Sequence, residues 1–122
     1  MFNYLKRNER CIHLKQWLNT PVSLFNIINK EFQIQDNILL KLDIEGSEYD
    51  FLGEITKKLN HISAIVLEFH DVHKNHEQIY KFIKECSSQF YLGHLNINPS
   101  GGFDRENRPK CIEITLEKRP IS

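Results

Sequence analysis

The amino-acid sequence predicts an α/β protein, a mostly parallel sheet flanked by helices. Three observations lead there. Short apolar runs at 37–44, 63–69 and 90–97 are separated by segments whose apolar residues recur at helical spacing. The first two runs, NILLKLDI and SAIVLEF, are nearly continuous, the pattern of strands buried on both faces of a parallel sheet. The last run, KCIEITLEK at 110–118, follows a turn-rich stretch without helical pattern, so it is expected to pair antiparallel with the run at 90–97.

Residues 1–20 permit two readings. In RCIHLKQWL, Ile12 and Leu14 alternate as in a strand, while Leu14, Trp17 and Leu18 fit one face of a helix. In TPVSLFNIINKEF, Ser23 is a cap and Leu24, Ile27 and Ile28 have helical spacing, which predicts a helix near 23–32. After the run at 37–44, Gly46 turns the chain. Ser47 caps a helix near 48–59 that carries Phe51, Leu52, Ile55 and Leu59. In NHEQIYKFIKECSS, Asn75 is the expected cap, with Gln78 three residues on and Ile79, Phe82, Ile83 and Cys86 on one face. In the last run, Cys111, Glu113 and Thr115 alternate with Ile112, Ile114 and Leu116. No internal repeat, low-complexity stretch or linker interrupts the pattern.

A length of 122 residues implies one domain, and 40% hydrophobic content is ordinary for a globular chain. Lys+Arg and Asp+Glu both number 16, so no bulk charge draws the chain to nucleic acid or an anionic membrane. YLKRNER reads as a solvated face. The three cysteines, Cys11, Cys86 and Cys111, are odd in number and have no CxxC spacing, which implies free thiols rather than a disulfide framework or zinc knuckle. The opening MFNYLKRNER lacks the apolar core and cleavage site of a signal peptide. No run reaches the ~20 apolar residues needed to span a bilayer. A cytoplasmic protein is expected.

In open α/β sheets, ligands bind outside the carboxyl ends of the strands. The three parallel runs end in DIEGSE, EFHDVH and HLNIN, which gathers Asp43, Glu45, Glu68, His70, Asp71, His94, Asn96 and Asn98 along one edge. DIEG is not a phosphate loop, since its acids would repel phosphate. Glu48 and Asp50 suit a helix entrance, worth about 0.3–1 kcal/mol each against the dipole. Asp43 lies inside an apolar run, where a carboxylate is unfavourable unless paired, bonded or used. Asp43 with His70, Asp71 or His94 could bind a divalent ion, and neutral His70 or His94 could act as general base on a hydroxyl. The plainer reading is that both histidines are satisfied, part-buried side chains. Glu113 faces either the same pocket or a cross-strand lysine.

LLKLDIEGSEYDFL, then ISAIVLEFHDV, then GHLNINPSGGFDRENRPKCIEITL resemble the C-terminal half of FkbM-type methyltransferases over residues 20 to 117. The resemblance carries a K-x-D-x-E-G-x-E turn and an apolar strand ending in E-x-H. It implies a partial Rossmann-like methyltransferase sheet, with strands equivalent to 4-5-7-6, three parallel and the last antiparallel. The chain then divides into an N-terminal segment, 1–20, and a methyltransferase portion, 21–122. The implied cofactor is S-adenosylmethionine (SAM), and the implied acceptor is a hydroxyl on a small molecule, glycan or lipid. Asp43, His70 and His94 take catalytic roles, with Glu45, Glu48 and Glu68 around the cofactor and Asp43 with Asp71 at a divalent ion. The family's glycine-rich SAM turn has no counterpart among the five glycines. Without the family's first strand, the run at 37–44 is an exposed edge. Residues 1–20, a second copy or a separate chain is expected to cover it. The competing function is a non-enzymatic remnant or subunit acting through that open edge; a third is a small metal-binding protein using the same acids and histidines.

Overall fold

The computed structural model describes residues 4–8, 11–14, 25, 29, 36–43 and 48–120. Its strands are β1 (Tyr4–Asn8), β2 (Cys11–Leu14), β3 (Ile38–Leu42), β4 (Ile62–Phe69), β5 (Phe90–Ile97) and β6 (Ile112–Lys118). Helix α1 (Leu52–Thr56) sits between 3₁₀ turns at Glu48–Phe51 and Leu59–His61, and α2 (Val72–Cys86) joins β4 to β5. The strands form one sheet in the order β1-β2-β3-β4-β6-β5.

The four-strand partial sheet is thereby corrected to six strands among the described residues. β2 runs parallel to β3, from Cys11 opposite Leu39 to Leu14 opposite Leu42, and β1 adds an antiparallel strand outside it. The edge expected to lie open at 37–44 is therefore paired, and residues from the first twenty cover it. The strand reading of Ile12 and Leu14 prevails because β3 offers a row of unpaired backbone groups that a short helix would not satisfy. Beyond β3, β4 is parallel to it, and β6 lies antiparallel between β4 and β5. Of the helix expected near 23–32, Phe25 and Asn29 are described and both are helical; the rest lies outside the described residues.

The sheet is not buried equally on both sides, as the apolar runs had implied. Ile38, Leu40 and Leu42 of β3, Ile65, Leu67 and Phe69 of β4, and Ile112, Ile114 and Leu116 of β6 share one core with Leu52 and Ile55 of α1 and Ile79, Phe82 and Cys86 of α2. Both helices thus cover one face. Leu39, Lys41, Asp43, Val66, Glu68, Glu113 and Thr115 alternate onto the other face, and all are part-exposed. A register slip between Ile38 and Leu39 leaves Ser63 as an extra residue in β4, and its hydroxyl donates to the Ile38 carbonyl.

Two helices differ from expectation. The segment 48–59 breaks into a 3₁₀ turn and the five-residue α1. α2 starts at Val72, a turn before the expected cap, and kinks at Asn75, whose φ and ψ are −128° and 16°. Asn75 Oδ1 still accepts from Gln78 Nε2 at 2.9 Å, so the anticipated pair forms at the kink rather than at the helix start. No helix among the described residues is long and apolar enough to cross a membrane.

Candidate active site

The parallel neighbours β3 and β4 bring their carboxyl ends together on the sheet face away from the helices. Asp43 follows β3, Glu68 lies near the end of β4 and His70 directly follows it. Strict alternation puts these three side chains on one face, because Leu42, Leu67 and Phe69 are committed to the core. Glu68 and His70 are part-buried, with 17% and 21% of their side chains exposed, which leaves both reachable.

Glu68 Oε1 is the hub. It accepts from Asn98 Nδ2 at 3.1 Å and from Cys111 Sγ at 3.0 Å, and His70 Nε2 lies 3.7 Å away. The Asn98 amide is oriented by its other end, since Oδ1 accepts from the Ser100 amide at 3.1 Å and the Ser100 hydroxyl at 2.7 Å. A hydrogen bond also joins Glu68 to Asp43. Burial alone would raise the pKa of Glu68. The hydrogen bonds from Cys111 and Asn98, the neighbouring His70 and the bond with Asp43 outweigh it and hold Glu68 below its usual value. Burial, with the Glu68 hydrogen bond and charge behind it, pushes the Cys111 thiol up to about 12. Cys111 therefore stands as a protonated donor at neutral pH.

The surroundings hold this arrangement in place. The Tyr49 hydroxyl donates to the His70 carbonyl at 2.5 Å, and its ring sits 5.6 Å from that of Phe69. The turn after β3 is thus tied to the end of β4. The 98–111 connection folds back on itself: Asn98 N–H donates to the Cys111 carbonyl and Lys110 N–H to the Gly102 carbonyl. Farther out, Asp104 Oδ1 accepts the amides of Glu106 and Arg108. Gly101 packs so closely that a Cβ there would sit 2.5 Å from Cys111 Cβ. A cleft of about 280 Å³ opens beside Glu68, lined by Glu68, Asn96, Ile97, Asn98, Pro99 and Glu113. Glu113 lies opposite Glu68 in the β4–β6 register and faces this cleft.

Asp43, Glu68 and His70 are thus brought together, and two expected residues are not. Asp71 is exposed, in a left-handed conformation (φ 50°, ψ 43°) at the start of α2, outside the Glu68 cluster. His94 is exposed on β5, separated from β4 by β6, and reaches the cleft only through Asn96, whose Oδ1 is 2.9 Å from its Nε2. Glu45 and the side chain of Glu48 lie outside the described residues; the backbone of Glu48 opens the 3₁₀ turn. Cys111 was missed as a site residue. Its signal was its parity in the run at 110–118, shared with Glu113 and alternating with Ile112.

The described residues also form one mixed donor set. Single ligand atoms of Glu68, His70 and Cys111 all lie within 4.8 Å of one another.

The sequence pattern of the methyltransferase FkbM domain matches residues 8–90 of the chain. A search of curated proteins gave no match. The matched segment contains β2, β3, α1, β4 and α2, and with them Asp43, Glu68 and His70.

Proposed function

The chain belongs to the FkbM methyltransferase domain family, and from that premise we propose that it is the C-terminal portion of a SAM-dependent methyltransferase acting on a substrate hydroxyl. The observation that carries the reading is the convergence of Asp43, Glu68 and His70 at the ends of two adjacent parallel strands, where ligands of such sheets bind.

The residues fit one half of the cofactor. SAM presents a cationic sulfonium and an ammonium, and the Asp43–Glu68 pair offers part-buried negative charge to them. The adenosine half is bound in class I methyltransferases mainly by a glycine-rich turn. Gly46, Gly53, Gly93, Gly101 and Gly102 are the glycines here, and none belongs to such a turn. This chain's own residues act on the acceptor side. His70 takes the proton of the acceptor hydroxyl through Nε2, and Glu68, 3.7 Å away, stabilises the resulting imidazolium. Asp43 faces the cationic carbon donor. Asn96, Asn98 and Glu113 supply hydrogen bonds to a polyhydroxylated acceptor such as a glycan in the adjoining cleft. Glu45 and Glu48 flank the cofactor by the family resemblance.

The reading is tested by incubating the chain with SAM and a panel of hydroxyl acceptors while measuring S-adenosylhomocysteine release. Release that falls about 100-fold or more in His70→Gln is expected, the scale of a general base. Release indifferent to that substitution, or none from any acceptor, would refute it. The runner-up, in which the chain acts through an open edge at 37–44, has lost its footing there because β2 pairs along that edge.

A further inference from the structure

We propose that Glu68, His70 and Cys111 form a zinc-type metal site, with one carboxylate oxygen, one imidazole nitrogen and one thiolate sulfur as ligands. The inference goes beyond the methyltransferase reading and does not depend on it; with the ion bound, His70 Nε2 and Glu68 Oε1 are its ligands and no longer the base and its partner.

The donor chemistry is the first argument. A hard oxygen, a borderline nitrogen and a soft sulfur from three side chains suit zinc, whereas magnesium and calcium take oxygen ligands almost alone. Three protein ligands also leave a fourth position for water or substrate, as in catalytic zinc sites. The cleft reaches the Glu68 ligand, while His70 and Cys111 lie outside its lining.

Geometry is the second. Zinc bonds of about 2.0 Å to N or O and 2.3 Å to S place neighbouring tetrahedral ligand atoms roughly 3.3–3.7 Å apart. Glu68 Oε1 and His70 Nε2 are already 3.7 Å apart. Glu68 Oε1 and Cys111 Sγ, at 3.0 Å, need only separate by a few tenths of an ångström. The full set lies within 4.8 Å.

Charge is the third. Asp43 and Glu68 stand close together on the sheet, which concentrates acidic groups at one place. Carboxyls crowded away from water are ordinarily paired or metal-bound. A divalent ion with one thiolate and one carboxylate ligand is locally neutral, and it replaces the proton that the thiol now donates to Glu68. That proton leaves to solvent as the metal–sulfur bond forms. Asn98 then remains as the outer hydrogen bond that orients the ligating carboxylate, and Tyr49 fixes the His70 backbone.

The test uses the full chain without a histidine tag, stripped with chelator and titrated with cobalt(II). One equivalent is expected to produce a near-ultraviolet sulfur-to-cobalt charge-transfer band together with visible bands of a tetrahedral ion, and zinc should bleach both. Cys111→Ser should abolish the charge-transfer band, and His70→Gln should weaken metal binding by about 100-fold or more. Circular dichroism on both variants controls for folding, and either variant alone suffices if the other does not fold. Absence of the band in the wild-type chain would overturn the proposal. So would a band that survives Cys111→Ser, since it would then belong to Cys11 or Cys86.

Discussion

Gly101→Ala and Gly53→Ala are the same chemical change, and the structure gives them opposite signs. At Gly101 the new methyl would stand 2.5 Å from Cys111 Cβ, whereas carbon atoms rest about 3.5–4.0 Å apart. The contact is not with a flexible tip. Cys111 is buried, and its backbone is tied to Asn98. Relief requires the 98–111 connection to move by about 1 Å, and overpacking of that kind destabilises by roughly 1–3 kcal/mol. For a domain of this size that lowers Tm by about 4–12 °C. At Gly53, in α1, a Cβ meets nothing within 4 Å. Alanine there reduces the freedom of the unfolded chain and should stabilise by about 0.4–1 kcal/mol. Thermal unfolding of the two variants beside the wild type, followed by circular dichroism, reads both. A Tm for Gly101→Ala equal to the wild type, or a lowered one for Gly53→Ala, would refute the packing argument.

Three further outcomes are expected. Tyr49→Phe removes the hydrogen bond to the His70 carbonyl and should lower stability by about 1 kcal/mol in urea unfolding, with an unchanged m-value. Cys86 and Cys111 both have folded-state pKa values raised from 9.0 to about 12, so the stability they contribute is full below pH 9 and declines as pH rises towards 12. Urea midpoints across that window should fall for the wild type and fall less for Cys111→Ser. Glu68 has the opposite sign. Its lowered pKa gives stability present above its ordinary value of 4.5 and lost as pH falls through the folded value, and Glu68→Gln should flatten the acid limb of the same measurement.

The sheet was legible wherever one strand's own residues decide its fate. Ile112, Ile114 and Leu116 announce a half-buried strand whatever lies beside it, and they are buried as the alternation requires. Cys11–Leu14 was ambiguous because its apolar spacing fits both periods. What made it a strand is the parallel pairing with Leu39–Leu42, a contact that no local pattern reports. The site divides along the same line. Asp43 was singled out because a carboxylate in an apolar run needs a partner or a use, and the structure sets it beside Glu68. His94 was grouped with His70 because both lie towards the carboxyl ends of parallel runs, but that placement does not fix the lateral distance across β6. Cys111 is the converse. Its parity was plain, but its place beside Glu68 depends on how the 98–111 connection folds, which rests on Gly101 and the Asn98–Ser100 bonds.

The most direct measurement of the central claim is calorimetric titration of the purified chain with SAM, repeated with Asp43→Asn. The substitution keeps the shape of the side chain and removes its charge. Saturable binding to the wild type, weakened about tenfold in the variant, is expected; tenfold corresponds to about 1.4 kcal/mol, a modest share of what a part-buried charge pair supplies. Binding of equal strength in both, or none at millimolar SAM, would contradict the assignment of the Asp43–Glu68–His70 cluster to methyl transfer.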